Sequence, residues 1–304
     1  MNPEKRYYYS AYGLNIESCF PCVELSSGIG PPDITIHYGT VPESLFDAHV
    51  REHCFEMNSN QLILSVDGIA RYLVTDGEKI VVTPEPDARD EEIRLFLLGS
   101  AFGALLHQRG LLPLHGSAIE VNGGCVAFLG HSGVGKSTLV AAFRKLGYRV
   151  MADDICVVSV GCDCVPMIFP SYPQLKLCVD AAKKLSEKPK LLSIADPTLE
   201  KHSVPIQEEF CQIPLPLSRL YMLTTTCTQT FGLTALKGVE KLRAIMNNTY
   251  RMCFVDGLDK KALHFTQCAA VAECVMTHHV TRPCEPFRLD ELVELLVGDF
   301  EQCL

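Results

Sequence analysis

The sequence predicts an α/β fold in two parts, a small mostly-β N-terminal domain over residues 1–85 and a larger α/β domain over 86–304. Three observations predict it. Residues 6–85 alternate apolar and polar side chains in short runs broken by Gly, Pro and Asp, the pattern of strands and turns. "GHSGVGKS" (130–137) lies between a continuous apolar run and an amphipathic helix. The segment after that helix reads as another strand, the return arm of a parallel crossover unit.

The N-terminal strands are "RYYYSAYGLNIES", "DITIHYGTV", "QLILSVDGIARYLVT" and "EKIVVTPE". "DARDEEIRLFLLGSAFGALLHQRG" (87–110) then reads as one continuous helix. Asp87 or Asp90 supplies its cap, acids fill its first turn and Gly110 ends it. Its apolarity on both sides predicts burial. "LLPLHGSAIEVNGGCVAFLG" reads as a hairpin turning at Asn122-Gly123-Gly124. "KSTLVAAFRKLG" is a helix stopped by Gly147, and "YRVMADDICVVSV" a strand. Further on, "LSRLYMLTT" and "ALHFTQCA" read as strands, and "VEKLRAIMNNTYRM" and "LDELVELLVGDF" as helices. Residues 183–205, with several prolines and lysines, form the most loop-like stretch and a candidate substrate-facing segment.

Composition bounds the chemistry. Across 304 residues, 47% are hydrophobic and 21% charged, enough to bury a substantial core without staples. The formal net charge of -9, with no basic block, argues against nucleic acid or an anionic membrane as a partner. No apolar run is long enough to span a bilayer and the first residues lack a signal-peptide core, so a cytoplasmic protein is expected. The 15 cysteines are odd in number and several fall in apolar runs, so reduced packing thiols are expected. "CFPC", "CDC" and the loose group Cys274, His278, His279 and Cys284 are only half-sites for a metal.

The phosphate-binding pattern G-x-x-x-x-G-K-[ST] is met by Gly130, Gly135, Lys136 and Ser137. Gly130, Gly133 and Gly135 permit the backbone angles that turn N–H groups inward around a phosphate. His131, Ser132 and Val134 complete the loop, and Thr138 follows it. His131, at an outward position, is read as non-catalytic. The positive N-terminal end of the following helix adds to the site. Lys136 then reaches the β- and γ-phosphates of ATP and Ser137 holds Mg²⁺. Asp153 and Asp154 emerge at the end of the return strand, on the sheet edge that carries the loop. One can ligate Mg²⁺ and the other can take a proton from an attacking hydroxyl, although both can also serve the metal alone. His115 reaches the same edge if its strand neighbours that of the loop; otherwise it is a structural histidine at a strand end.

These residues resemble a family. "LHGSAIEVNGGCVAFLGHSGVGKSTLVAAFRKLGYRVMADD" (114–154) is similar to the core of bacterial HPr kinase/phosphorylase, in which a His-Gly pair precedes the loop and its helix leads to an Asp-Asp pair. The resemblance implies a P-loop kinase core of the HPr kinase/phosphoenolpyruvate carboxykinase type. It implies Asp153 as general base toward a serine hydroxyl, Asp154 and Ser137 at the metal, Lys136 at the phosphates and His115 in the active site. Thr138 stands where the family usually has glutamate, and its second, Arg-Gly-containing signature has no counterpart. Over its length the chain is similar to the HPr-kinase-like proteins of peptide-maturation gene clusters, lasso-peptide kinases among them, through "YGLNIESCFPCVEL", "LLPLHGSAIEV", "YPQLKLCVDAAKKL", "PLPLSRLYML" and "NNTYRM". That resemblance implies phosphorylation of a precursor peptide's C-terminal serine.

Lys176, Lys201 and Arg251 are candidate contacts to the substrate or its phosphate, since a transferring phosphoryl group develops charge that cations stabilise. The partner expected is a peptide or protein bearing a seryl hydroxyl, and a homo-oligomer is compatible with the chain. The alternatives are a nucleotide-dependent ATPase or switch, a kinase of an HPr-like protein or small molecule, a carboxykinase-like enzyme, and a non-catalytic binding module.

Overall fold

The structure is a computed structural model that describes residues 5–161, 164–185, 190–191, 201–286 and 288–301. Among them the fold is mixed α/β with several sheets. The first sheet is built from β1 (Tyr7–Ala11), β2 (Leu14–Ser18), β3 (Ser26–Ser27), β4 (Ile34–Tyr38), β5 (Val50–Arg51), β6 (Phe55–Met57), β7 (Gln61–Val66), β8 (Ala70–Thr75) and β9 (Lys79–Pro84), in the order β3-β1-β2-β4-β9-β8-β7-β6-β5. Alternate residues such as Ile34, Ile36, Tyr72, Val74, Ile80 and Val82 are buried on one face. They share a single core with Leu97, Phe102, Leu105, Ile155, Tyr172, Tyr250 and Phe254 from the rest of the chain. One face of the N-terminal sheet thus shares its core with the segment that follows, while Val41, Leu45, Ile63 and Val81 form a small cluster of the sheet's own.

The expected helix over 87–110 is interrupted. It consists of α1 (Asp90–Phe96), a π-helical turn over Leu97–Ala101, and α2 (Phe102–Gln108). Its cap is neither Asp87 nor Asp90 but Arg89, whose backbone N–H donates to Glu92 at 3.4 Å. An extended φ of -81° and ψ of 139° at Arg89 leave Asp90 already inside the first turn.

The second sheet carries the glycine-rich loop of residues 130–135. Its first strands are β10 (Leu112–Val121), β11 (Gly124–Leu129), β12 (Val150–Ala152), β13 (Ile155–Val160) and β14 (Pro166–Phe169), with α3 (Lys136–Lys145) between β11 and β12. The β10–β11 hairpin turns on Asn122 and Gly123, at φ 51° and 77°. β15 (Gln174–Cys178), α4 (Val179–Lys184), β16 (Lys190–Leu191) and β17 (Lys201–Pro205) follow, the three strands forming a small sheet of their own. Most of the stretch 183–205, expected to be a loop, lies outside the described residues; its end is strand β17, paired with β15. β18 (Leu215–Thr226) and β19 (Gly232–Ala235) precede the helices α5 (Gly238–Asn247), α6 (Met252–Gly257) and α7 (Lys261–Cys274), and β20 (Met276–Pro283) and α8 (Leu289–Glu301) close the chain. The segment "ALHFTQCA", expected to be a strand, is part of α7. His264, Cys268 and Val271 are its buried positions, a helical spacing that the short apolar run concealed.

β11 runs parallel to β18, and β18 parallel to β20, while β10 is antiparallel to β11, β12 and β13. The return strand therefore points the same way as the loop strand, with one antiparallel strand between them. Both faces of β11 are covered: Val126 and Phe128 pack with α3 and α8, and Cys125, Ala127 and Leu129 pack with α5 and α7. This burial is why the strand reads as an unbroken apolar run. No described helix is long and apolar enough to cross a membrane.

Candidate functional site

The loop leaving β11 has positive φ at Gly130 (146°), Gly133 (82°) and Gly135 (100°). At Gly130 space adds to conformation, because a Cβ there would lie 2.6 Å from the carbonyl oxygen of Leu223 on β18. Gly135 caps α3, and Lys136 and Ser137 open the helix. The Lys136 ammonium donates to the carbonyls of Gly130 (2.7 Å) and His131 (3.0 Å) and to Nε2 of His115 (3.1 Å). From β20, the buried Arg282 donates from Nε to the carbonyl of Val134 at 3.0 Å and holds the loop's outer wall.

The expected strand over 148–160 breaks at the two aspartates. β12 ends at Ala152, Asp154 takes a left-handed φ of 75°, and β13 starts at Ile155. β10 pairs with both pieces and bridges the break: Gly116 N–H donates to the carbonyl of Asp154 at 3.2 Å, and His115 Nδ1 approaches the same oxygen at 3.1 Å. Gly116 has no room for a side chain, since a Cβ would meet Phe128 O at 2.8 Å and Leu129 Cδ2 at 2.3 Å. The His-Gly pair thus brings β10 against the aspartates without a side chain between them.

The two carboxylates face different partners. Asp153 is buried, its Oδ1 accepting from Ser117 Oγ (2.6 Å) and Ser137 Oγ (2.8 Å), and its Oδ2 from the backbone N–H of Lys176 (2.8 Å). Asp154 is reached by the Lys176 ammonium at 2.9 Å and by His115 Nδ1 at 3.5 Å, and it lines an open cleft. Lys176 on β15 therefore grips both acids, one with its backbone and the other with its side chain. Burial pulls the Lys176 ammonium down, but Asp154 and the phenols of Tyr172 and Tyr250 outweigh it and hold the group well above the usual lysine range.

The loop and its surroundings form two connected hollows. The smaller is lined by Ser132, Gly133, Gly135, Lys136, Ser137 and Thr138. The larger, of about 490 Å³, is walled by His131, Asn248, Tyr250 and Arg251 among others. His115, Ser132, Asp154 and Lys176 line both. Arg251 donates from Nη2 to Ser100 Oγ at 3.0 Å. The side chain of Lys201 lies outside the described residues; its backbone pairs with Cys178 at the end of β15.

The geometry departs from expectation in one respect. The resemblance implies Ser137 and Asp154 at the metal, and the Ser137 hydroxyl donates to Asp153. The reason lies in Ser117, two residues beyond His115 on the same face of β10, which fixes Asp153 toward the helix side and leaves Asp154 to turn into the cleft. Strand periodicity could have flagged Ser117. Nothing in the sequence points to Arg282, or to Tyr12, whose ring packs edge-on to Tyr172.

A Ser hydroxyl and two carboxylates offer the hard oxygen donors Mg²⁺ takes alongside substrate phosphates and water, so Ser137, Asp153 and Asp154 fit that ion. Among the described residues, the half-sites noted in the sequence assemble no group of three metal-binding side chains. Cys162 of "CDC" lies outside them. His278 stacks on Tyr221 and His279 bonds Thr224. The described cysteines are free thiols, with Cys22, Cys125, Cys156, Cys211 and Cys268 buried.

No protein-family model matches the sequence, and no curated protein matches it. Among solved structures, the HPr(Ser) kinase/phosphatase from Coxiella burnetii is a remote neighbour, with 11% sequence identity and a TM-score of 0.35, covering 62% of this chain and 90% of that chain.

Proposed function

We propose that the chain is a Mg-ATP-dependent phosphotransferase whose acceptor is a hydroxyl, a seryl side chain of a peptide or protein. The observation that carries this reading is the shared wall of the two hollows, where His115, Asp154 and Lys176 stand between the phosphate loop and a second, larger cleft. Hydrolysis alone has no use for a cleft of that size on the far side of the carboxylate.

In this reading the roles of the two aspartates exchange relative to the sequence expectation. Asp153, held by three donors, Ser137 among them, belongs to the metal side. Asp154 faces the cleft and takes the acceptor proton. As the hydroxyl oxygen bonds to the γ-phosphorus, the bond from phosphorus to the bridging oxygen breaks and ADP departs with that electron pair. Bound Mg²⁺ would supply charge neutralisation between the β- and γ-phosphates. Lys136 exchanges its loop carbonyls for phosphate oxygens, and Lys176 holds Asp154 toward the cleft. By resemblance, the C-terminal serine of a lasso-peptide precursor is the first acceptor to try.

The test is Asp154→Asn, assayed with seryl peptides and Mg-ATP by mass spectrometry. Transfer should vanish while ATP affinity stays within about threefold. Undiminished phosphorylation in that variant rules out Asp154 as base. ATP hydrolysis by the wild type at one rate with and without acceptors favours the switch reading.

A further inference from the structure

The cleft beside Asp154 does not end at Arg251. Past the guanidinium lies another hollow of about 230 Å³, and the two share Phe96, Ser100 and Arg251 in their walls. Its floor is built from apolar rings and aliphatic groups, with His53, Ser65 and Asp67 also in its lining. Leu64 and Phe254 are buried there, and Phe55 meets Phe254 edge-on with ring centroids 5.5 Å apart. Its rim holds the exposed thiols of Cys54 and Cys253. Phe55 and Leu64 belong to β6 and β7, so the N-terminal sheet builds one side of this hollow and α6 the other.

The residue between the hollows is held in a costly conformation. Arg251 has a left-handed φ of 51° at the start of α6, which an ordinary side chain adopts only when its surroundings impose it. Its side chain is tied to Ser100, which the π-helical turn between α1 and α2 delivers to the cleft wall. Such turns recur at functional sites because they shift one residue out of helical register.

We infer that this hollow is a specificity pocket for the acceptor. An aliphatic or aromatic side chain of a peptide enters it, at a fixed number of residues from the hydroxyl presented to Asp154, and Arg251 donates to the peptide carbonyl that spans the two. The apolar floor selects the side chain by hydrophobic burial, and the row of cleft, arginine and hollow suits an extended chain better than a compact small molecule. The identity of the hydroxyl rests on the phosphotransferase reading; the pocket itself does not.

The experiment uses two synthetic decapeptide libraries, one with a central and one with a C-terminal serine, all other positions randomised. The immobilised full-length chain captures peptides in the presence of Mg-ADP, and the captured pool is sequenced; a parallel reaction with Mg-ATP scores phosphorylation. Leu, Ile, Phe and Met should be enriched about fivefold or more at one offset from the serine. Two filling variants, Cys253→Phe and Cys54→Phe, each place a ring against the hollow from an exposed position. Both should abolish the enrichment while keeping the wild-type melting curve. A captured pool without apolar preference, or a preference unchanged in both folded variants, overturns the pocket. Enriched capture lost in the variants, with no phosphorylation by the wild type, upholds the pocket and removes the phosphotransferase reading.

Discussion

His115 Nε2 stands 3.1 Å from the ammonium of Lys136, and lysine has no acceptor, so the imidazole accepts there and carries its proton on Nδ1, toward Asp154. A neutral ring thus connects the lysine of the glycine-rich loop to the cleft-facing acid. Replacing His115 by Ala should cut phosphoryl transfer on the order of 100-fold and change ATP affinity far less. Single-turnover assays beside equilibrium nucleotide binding separate the two, and an equal loss in both would make His115 a loop support only.

Ser117 and Ser137 donate to one oxygen of Asp153 but face different tasks. Ser117→Ala leaves a buried carboxylate short of a donor and should cost about 1–3 kcal/mol in urea unfolding, with the Mg²⁺ dependence little altered. Ser137→Ala should raise the Mg²⁺ concentration needed for half-maximal activity and cost less stability. A reversed pattern would place Ser117, not Ser137, at the metal.

Gly116→Ala forces a Cβ to within 2.8 Å of a backbone oxygen on β11. Backbone cannot step aside as a side chain can, so β10 and β11 must part. About 2 kcal/mol of stability should be lost, together with activity, because His115 and Ser117 move with the strand. Thermal unfolding and turnover measured together check both, and a fully active, equally stable variant would contradict this packing.

The hydroxyl of buried Tyr12 has no hydrogen-bond partner among the described residues. Burial, with Tyr172, Asp154 and Tyr250 close by, pushes its phenol well above the usual range. Tyr12→Phe removes an unmet polar group and should be neutral or stabilising by up to about 1 kcal/mol. A clear loss in urea unfolding would instead reveal a bridging water beneath Asp154.

His107 donates from Nε2 to the carbonyl of Tyr250 at 2.8 Å, and burial lowers its pKa to about 4. In the unfolded chain the same ring protonates near pH 6.5. Stability should therefore fall as pH drops through the window from about 6.5 to 4 and level off below it, by on the order of 3 kcal/mol. His107→Gln lacks the titration and should flatten the decline in urea unfolding across that window. Parallel curves for both proteins would show that His107 contributes nothing to it.

Much of this was legible in the sequence where local pattern decides. The alternation of Ile34 with Ile36 and of Tyr72 with Val74 marks strands, the Asn122-Gly123 turn marks the hairpin, and the glycines of 130–135 mark the loop. What stayed hidden depends on partners distant in the chain. Asp154 turns into the cleft because Ser117 and Lys176 hold Asp153 away from it. The strand reading of 262–269 failed because a short apolar run has no period of its own. The π-helical turn at Leu97–Ala101, buried throughout, carries no local residue pattern that sets it apart from the helix on either side.

The strand wedged antiparallel between β11 and β12 also bears on the order in which the site assembles. Because β10 and β11 are joined by a two-residue turn and β12 returns after one short helix, His115, Ser117, Lys136, Ser137 and both aspartates meet through loops closed within residues 112–154. Short loops close with little entropic loss and fast, so this half of the site can form early during folding. The cleft wall at Tyr250 and Arg251, and the hollow built from β6 and β7, join residues far apart in the chain. The glycine-loop end of the site is thus local in sequence, while the end at Tyr250 and Arg251 waits for the whole chain.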